Sequence, residues 1–373
     1  MYDLVAEDFT PDPLNLLESN RNLGYSIEEA VSDLIDNSIA AKAKNISFHL
    51  TWNNGNPFFA LLDDGIGMSN KDGDLVRSFR LGSQNPLEER DPSDLGRFGF
   101  GMKTASLSQS RSFIVASKKT ESELISRSLD LDFISSLGNG WKLKRVNETQ
   151  LCGYEKSIIE NGHGTVIIWD NWDRAPKKYE DFTNLVNGIS NYLSVCFHRF
   201  IESGVNIYAD EILLPSFSPI PNGDGAEERS KIHLSDNSNA TQTAYVLQHP
   251  SKWSEEYESS LAFNSFRLFD GFERQQGIYI YRCNRLLTPR GGWLEVLKRG
   301  NSAKLARVVI DYPNNADSLW SLDITKTNAK IPYEFKNEIE SFVKKTRVHS
   351  VSKINSGNRK VNEAISYKDA YIW

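Results

Sequence analysis

An α+β fold in two domains is what this sequence predicts, on three observations. The chain has 373 residues, more than one small core holds and enough for two domains of ordinary size. Stretches with strand alternation are interspersed with amphipathic helical stretches along its length. A segment rich in proline and glycine, Pro215-Ser-Phe-Ser-Pro-Ile-Pro and then Asn222-Gly-Asp-Gly, marks the boundary between two halves.

The bulk numbers exclude several classes. With 39% hydrophobic, 25% charged and 11% aromatic residues the chain is globular in composition. A net charge of -6 argues against a surface that coats nucleic acid, though not against a local basic patch. No apolar run approaches membrane-spanning length, and Met1-Tyr-Asp-Leu-Val lacks a charged start followed by an apolar run, so a cytoplasmic protein with no membrane partner is expected. Cys152, Cys196 and Cys283 are widely spaced and form no Cys-x-x-Cys pattern, which reads as a reduced compartment without disulfides or zinc. The histidines form no ligand pair at helical spacing; His163, His198 and the rest read as surface or packing residues.

Residues 1–20 lack periodicity and contain two prolines, so an extended arm is predicted, either idle or crossing to a partner subunit. Ser26-Ile-Glu-Glu29 fits a capping box, and the helix after it puts Ile27, Ala30, Val31, Leu34 and Ile35 on one stripe. Asp33 and Asn37, four apart, share a face beside that stripe; on this helix alone a solvated flank is the plainer reading. Residues 45–51 alternate as a strand, 52–57 turn, and 58–62 form a second strand that runs into Asp63, Gly65 and Gly67. Glycines there permit positive φ and close approach of another molecule, although many hairpins share the pattern. Residues 69–95 are polar and long enough for a mobile cover over a site, or for a plain surface loop. Gly96, Gly99 and Gly101 then lead into a helix near Met102, presenting backbone amides and a positive helix end that suit phosphate. This is no P-loop: Met102 intervenes between Gly101 and Lys103, and no buried strand runs directly into the turn.

Strands are predicted at 112–117, 124–131 and 141–145, and Gly162-His-Gly164-Thr165 opens another at 166–169. A helix over 181–201 and a short strand over 206–208 complete the first half. The second half reads as strands at 244–248, 277–282, 306–311 and 320–324, with helices near 293–297 and 333–347. Asp323-Ile-Thr-Lys326-Thr-Asn328 is a polar loop, and from His349 the tail is polar and expected to be partly disordered. The expected layout is an arm at 1–20, one domain at 21–217, a second at 218–348 and a tail at 349–373.

In their order, Asp33-x-x-x-Asn37, Asp63-x-Gly65-x-Gly67, Gly96-x-x-Gly99-x-Gly101 and Gly164-Thr165 resemble the GHKL superfamily of gyrase B subunits, ninety-kilodalton heat-shock chaperones, histidine kinases and MutL. The likeness is greatest to MORC-like and MutL-like ATPases, since MORC-type turns are also followed by a hydrophobic residue and a lysine, as in Met102-Lys103. It covers roughly residues 10–215, while Gly277-Ile-Tyr-Ile-Tyr-Arg and the Lys326 loop resemble the transducer domain of these ATPases. The resemblance implies a GHKL (Bergerat) α/β sandwich followed by a transducer-like α/β domain. It implies that Asn37 ligates Mg2+ and that Asp63 accepts from the adenine amino group. Gly65 and Gly67 would let the base lie against backbone, with Met68 on its face and Thr165 joined through a water. Gly96, Gly99 and Gly101 would wrap the ATP phosphates with Lys103 adding charge, and Lys326 would reach the γ-phosphate.

Two positions depart from the family pattern. Asp33 stands where most members carry the glutamate base, one methylene longer, and Ala40 where many carry a second aspartate. A base misplaced by about 1 Å costs roughly a hundredfold, so either the helix sits closer to the phosphate or turnover is slow. Glu29, one turn earlier, is expected to be occupied in the cap. A histidine kinase is not expected, because the nucleotide helix begins by Ser26; nor is a strand-passing enzyme or a heat-shock chaperone, whose further machinery is not recognised here. The resemblance implies hydrolysis of ATP to ADP and phosphate, driving homodimerisation and switching in a DNA-related or phage-defence system. The alternative is a regulatory ATP-binding subunit with little turnover, acting through a protein partner or DNA. Arg274, Arg282, Arg285, Arg290, Lys298 and Arg299, with Tyr279, Tyr281 and Trp293 among them, read equally as a nucleic-acid groove or a solvated face.

Overall fold

Asp12 starts the first helix, α1 (Pro13–Asn20), in the computed structural model. Its carboxylate accepts the Asn15 amide at 2.8 Å, and proline occupies the first turn, where no amide is required. The structure describes residues 10–71, 73–82, 95, 99–138, 140–220, 226–233, 240–253, 268–269, 271, 273–320 and 330–370. Residues 13–20 are thus helical and not extended. Leu17 is buried, and the buried Arg21 donates to Leu107 O at 2.8 Å and to both oxygens of Asp173, which docks the helix on its own unit.

The expected capping box opens α2 (Ile27–Ala40): Ser26 Oγ accepts the Glu29 amide at 3.3 Å, and Glu29 Oε2 accepts the Ser26 amide at 2.9 Å. β1 (Asn45–Thr51) and β2 (Phe58–Asp63) follow as an antiparallel hairpin with Ile46 opposite Asp63. After α3 (Asp74–Ser78) and α4 (Gly101–Gln109) come β3 (Ser112–Lys118), β4 (Ile125–Asp130), α5 (Leu131–Ser136), β5 (Lys144–Arg145), α6 (Glu155–Asn161) and β6 (Gly164–Trp169). Of the strand expected over 141–145, only the last two residues pair. The helix expected over 181–201 is two, α7 (Tyr179–Cys196) and α8 (His198–Glu202), before β7 (Asn206–Ala209) and β8 (Ile212–Leu213).

These strands form a sheet in the order β5-β4-β3-β6-β2-β1-β7-β8, in which β1 and β7 run parallel. Alternation sends Leu62 to one face and Asp63 to the other. On the Leu62 face, Ala60, Ile114, Ala116, Val166 and Ile168 pack with Ile158 of α6. On the Asp63 face lies α2, whose Ser38 reaches the Asp63 carboxylate, with α4 packed against α2. By contact the chain divides into two compact units, one of Met1–Glu88, Gly96–Ile189 and Asn206–Ile212, the other of Glu89–Leu95, Ser190–Val205 and Leu213–Trp373.

The second unit holds β9 (Ala226–His233), β10 (Thr241–Leu247), β11 (Gly277–Arg282), β12 (Arg285–Leu286), β13 (Ala306–Tyr312), α9 (Asp317–Trp320) and α10 (Lys336–Ala370). Its sheet runs β12-β11-β13-β10-β9. Ile278, Ile280, Val308 and Ile310 pack with Ile339, Phe342 and Val343 of α10, each such side chain worth roughly 1.5–3 kcal/mol when fully buried. Three expectations change here. Trp320 ends a helix instead of starting a strand, while 321–324 lie outside the described residues. Residues 293–297 are not helical, because Leu294 and Glu295 have φ of 45° and 67°. The tail from His349 continues α10 to Ala370, held first by Thr346 and Ser350, which extend the buried stripe of Ile339 and Val343.

The basic concentration separates into two groups. Arg282 is buried and paired with Asp317 through two bonds of 2.7 Å, and Arg285, Tyr279, Tyr281 and Trp293 are buried as well. These are interior groups, so the aromatic half of the imagined groove does not exist. Arg274, Arg290, Lys298 and Arg299 are exposed. Among the described residues no helix is long and apolar enough to cross a membrane.

Candidate functional site

From Ala30 to Ser38, every residue of α2 is buried except Asn37. Asp33 is only 2% exposed, and its Oδ2 accepts the Tyr25 hydroxyl at 2.9 Å. A Cβ added to Gly101, the first residue of α4, would stand 3.4 Å from that same oxygen. The carboxylate and the last glycine of the glycine-rich turn are therefore neighbours. One turn further along α2, Ser38 donates to Asp63 Oδ2 at 2.9 Å, and Asp63 Oδ1 accepts the Gly65 amide at 2.9 Å. A single helix thus joins the glycine turn to the end of β2 and exposes an amide between them.

The two adjacent aspartates differ in environment. Burial pushes the Asp63 carboxyl up to about 6, against the pull of its bonds from Ser38 and Gly65. Asp64 points to the other face. Burial raises it too, but bonds from the Asn45 amide and side chain and from the Lys44 amide outweigh that and hold it below the usual range. Asp64 is a clamp on the start of β1, and Asp63 is the acceptor on the α2 side.

Across the sheet, Ser117, Thr165 and Asp63 form one row of β3, β6 and β2. Thr165 Oγ1 lies 2.9 Å from Ser117 Oγ, which donates to Gly164 O and accepts the Met68 amide at 2.8 Å. Met68, Thr165 and Asp63 are thereby brought to one end of the sheet. His163 binds Gly65 O at 2.9 Å and braces the same turn from beyond it. Periodicity gives no sign of Ser38, Ser117, Tyr25 or His163, whose partners lie 8 to 98 residues away.

The glycines of the turn after β2 are required by the chain itself. At Gly65 a Cβ would meet Ala41 Cβ at 2.8 Å; at Gly67, where φ is +67°, it would lie 1.9 Å from Lys118 O. Gly67→Ala is therefore expected to lose about 2–4 kcal/mol of stability from the backbone strain and the displaced strand. Urea unfolding checks this, and a loss under about 0.5 kcal/mol would contradict the close approach.

On the far side of α2, Gly99 has φ of +62° and leads into α4, whose cap position Phe100 offers no side-chain acceptor to the first amides. Lys103 is 2% exposed and donates to Ser78 O of α3 at 2.7 Å; burial pushes its amine down to about 8. Gly96, Lys326 and, within 69–95, residues 72 and 83–94 lie outside the described residues.

Among the described residues no cluster of three His, Cys, Asp or Glu side chains could hold a metal. Mg2+ needs none, since it keeps waters and takes most remaining oxygens from a substrate's phosphates. The exposed Asn37 amide is a hard oxygen donor of the kind it accepts. A cavity of about 560 Å3 opens on the opposite face of the sheet, between Ser47, Leu62, Asp64, Ile158, His163 and Tyr208. Asp63 also lines it, whereas Asp33, Asn37, Gly101 and Lys103 do not, so it meets this constellation only at the end of β2.

Comparison with known proteins places the same stretch in context. A family model described as histidine kinase-, DNA gyrase B-, and HSP90-like ATPase matches residues 25–165. Among curated proteins, the ATPase morc-1 of Caenorhabditis elegans is 26% identical over 106 residues, which make up 28% of this chain. The match spans 12% of that relative's own length.

Proposed function

We propose that this chain, whose residues 25–165 are a GHKL-type, MORC-like ATPase domain, binds Mg-ATP on the α2 face of its first sheet and hydrolyses it to ADP and phosphate. The observation that carries the reading is the junction on α2, with Asp33 against Gly101 at one end and Ser38 bonded to Asp63 at the other. Asp63 accepts from the adenine amino group, with Met68 and Thr165 beside it and Gly65 and Gly67 shaping the turn. Gly96, Gly99 and Gly101 face the phosphates. Asn37 holds Mg2+, which when bound supplies positive charge against the phosphate oxygens. Asp33 takes a proton from a water whose oxygen attacks the γ-phosphorus; the bond to the β–γ bridging oxygen breaks and its electron pair leaves with ADP. Lys103 reaches the phosphates only by leaving Ser78 O, which would couple ATP to the segment around α3. Lys326 is assigned to the γ-phosphate on resemblance. Measuring ATP affinity and phosphate release on the purified chain tests the whole reading; a chain that does not bind ATP would end it.

ATP is further proposed to draw two copies together around the bound nucleotide, with hydrolysis releasing them. Light scattering with a non-hydrolysable ATP analogue is expected to show the mass doubling from 42.2 kDa; an unchanged mass would rule out the homodimer. The setting proposed is cytoplasmic, in a DNA-related or phage-defence complex, by resemblance to bacterial MORC-like and MutL-like ATPases. The short base at Asp33 favours a second reading, a regulatory subunit that binds ATP with little turnover and acts through a protein partner or DNA. Steady-state phosphate release with and without DNA separates the two.

A further inference from the structure

Tyr25 belongs to none of the motifs, yet it touches the group on which hydrolysis depends. It precedes Ser26, the cap of α2, and is 8% exposed. Its hydroxyl donates to Asp33 Oδ2 at 2.9 Å, two turns into the helix. Thr104 Oγ1 of α4 lies 3.5 Å from the same hydroxyl, and Gln109 Nε2 of α4 donates to the Tyr25 carbonyl at 3.4 Å. The tyrosine is thus braced against α4, the helix whose first residue, Gly101, flanks Asp33.

We propose that Tyr25 is a positioning residue for ATP hydrolysis, its phenol fixing the Asp33 carboxylate in the orientation from which it accepts a proton from water. The proposal rests on the reading of Asp33 as base. An aspartate is one methylene shorter than the glutamate it replaces, so its oxygens have a narrower range of useful positions. A hydrogen bond to an ionised oxygen is short, directional and among the stronger ones. With Oδ2 engaged by the phenol, the plane of the carboxylate is set, and Oδ1 has a defined direction. Orientation of this kind acts on the chemical step and not on nucleotide affinity, because the phenol contacts the base and the fold rather than the phosphates.

The test is Tyr25→Phe, which keeps the ring and removes the hydroxyl. Turnover is expressed per site that binds ATP, counted by titration, so that a partly unfolded preparation still gives an answer. The expected result is a kcat lower by about 10- to 100-fold with the dissociation constant for ATP within about twofold. In an Asp33→Asn background the same change is expected to have no further effect, since no carboxylate remains to orient. Asp33→Asn inactive but Tyr25→Phe at the parental kcat would overturn the proposal alone. Asp33→Asn at the parental rate would instead remove Asp33 as base, and the role of Tyr25 with it. A fall in ATP affinity equal to the fall in kcat/KM would make Tyr25 a structural residue and likewise overturn the proposal.

Discussion

Asparagine in place of Asp33 is expected to lower phosphate release by about a thousandfold while ATP affinity stays within about threefold. The two side chains are nearly isosteric, so the fit against Gly101 is kept, and Tyr25 can still donate to the remaining carbonyl oxygen. What is lost is the ability to hold a proton. General-base catalysis contributes about 10²- to 10⁴-fold, and an amide supplies none of it. Binding should survive because the proposed site assigns the hold on the nucleotide to Asp63 and Asn37, not to Asp33. Glu29, one turn before Asp33, has its Oε2 committed to the Ser26 amide at 2.9 Å, which opposes its serving as a substitute base. Single-turnover phosphate release, with affinity measured separately by fluorescence, checks both halves. An unaltered rate would remove Asp33 from the mechanism.

What was legible in the sequence was what is local. The Ser26–Glu29 box joins residues three apart, and the β1–β2 hairpin pairs two strands that are neighbours in the chain. The Asp33–Asn37 spacing put both on one helical face without saying that one would be buried and the other exposed. That distinction depends on α4, which packs over Asp33 from more than sixty residues away. The bond from Ser38 to Asp63 likewise joins residues 25 apart, and no period reports it.

Errors arose where composition stood in for packing. Residues 13–20 carry a sound start signal, Asp12-Pro13, in a helix too short for periodicity to show. Trp293, Leu294, Val296 and Leu297 are apolar because they pack on the second core from a turn, not because they form a helix. Past His349 the buried positions among the described side chains of α10 are Ser350 and Gly357, neither of which gives a hydrophobic signal. Arg282 counted as surface charge because Asp317, its buried partner, is 35 residues away.

Asp63→Asn is expected to abolish ATP binding while raising stability at neutral pH, two effects with opposite signs. The Asp63 carboxyl titrates near 6 in the folded chain, against an ordinary 3.8, chiefly because it is buried. A raised carboxyl pKa means that the folded state binds the proton more tightly than the unfolded one. Its stabilising contribution is complete below 3.8 and is lost as pH rises through about 6. At pH 7 the ionised group therefore opposes folding by about 3 kcal/mol, two pKa units at 1.36 kcal/mol each. An asparagine removes that charge: Ser38 turns its hydroxyl to Leu34 O, already 3.4 Å away, and accepts from the new amide. The melting temperature should rise by several degrees at pH 7–8 and not at pH 4. The adenine amino group, in contrast, would face an N–H in place of an ionised acceptor. Losing a charge-assisted bond and setting two donors together costs roughly a hundredfold or more in affinity. For the same reason, ATP affinity of the parent chain should weaken as pH falls through about 6. Calorimetric titration against pH, paired with thermal melts, reads both effects. Affinity retained in Asp63→Asn would overturn the adenine assignment, and affinity lost together with stability would point to a damaged fold instead.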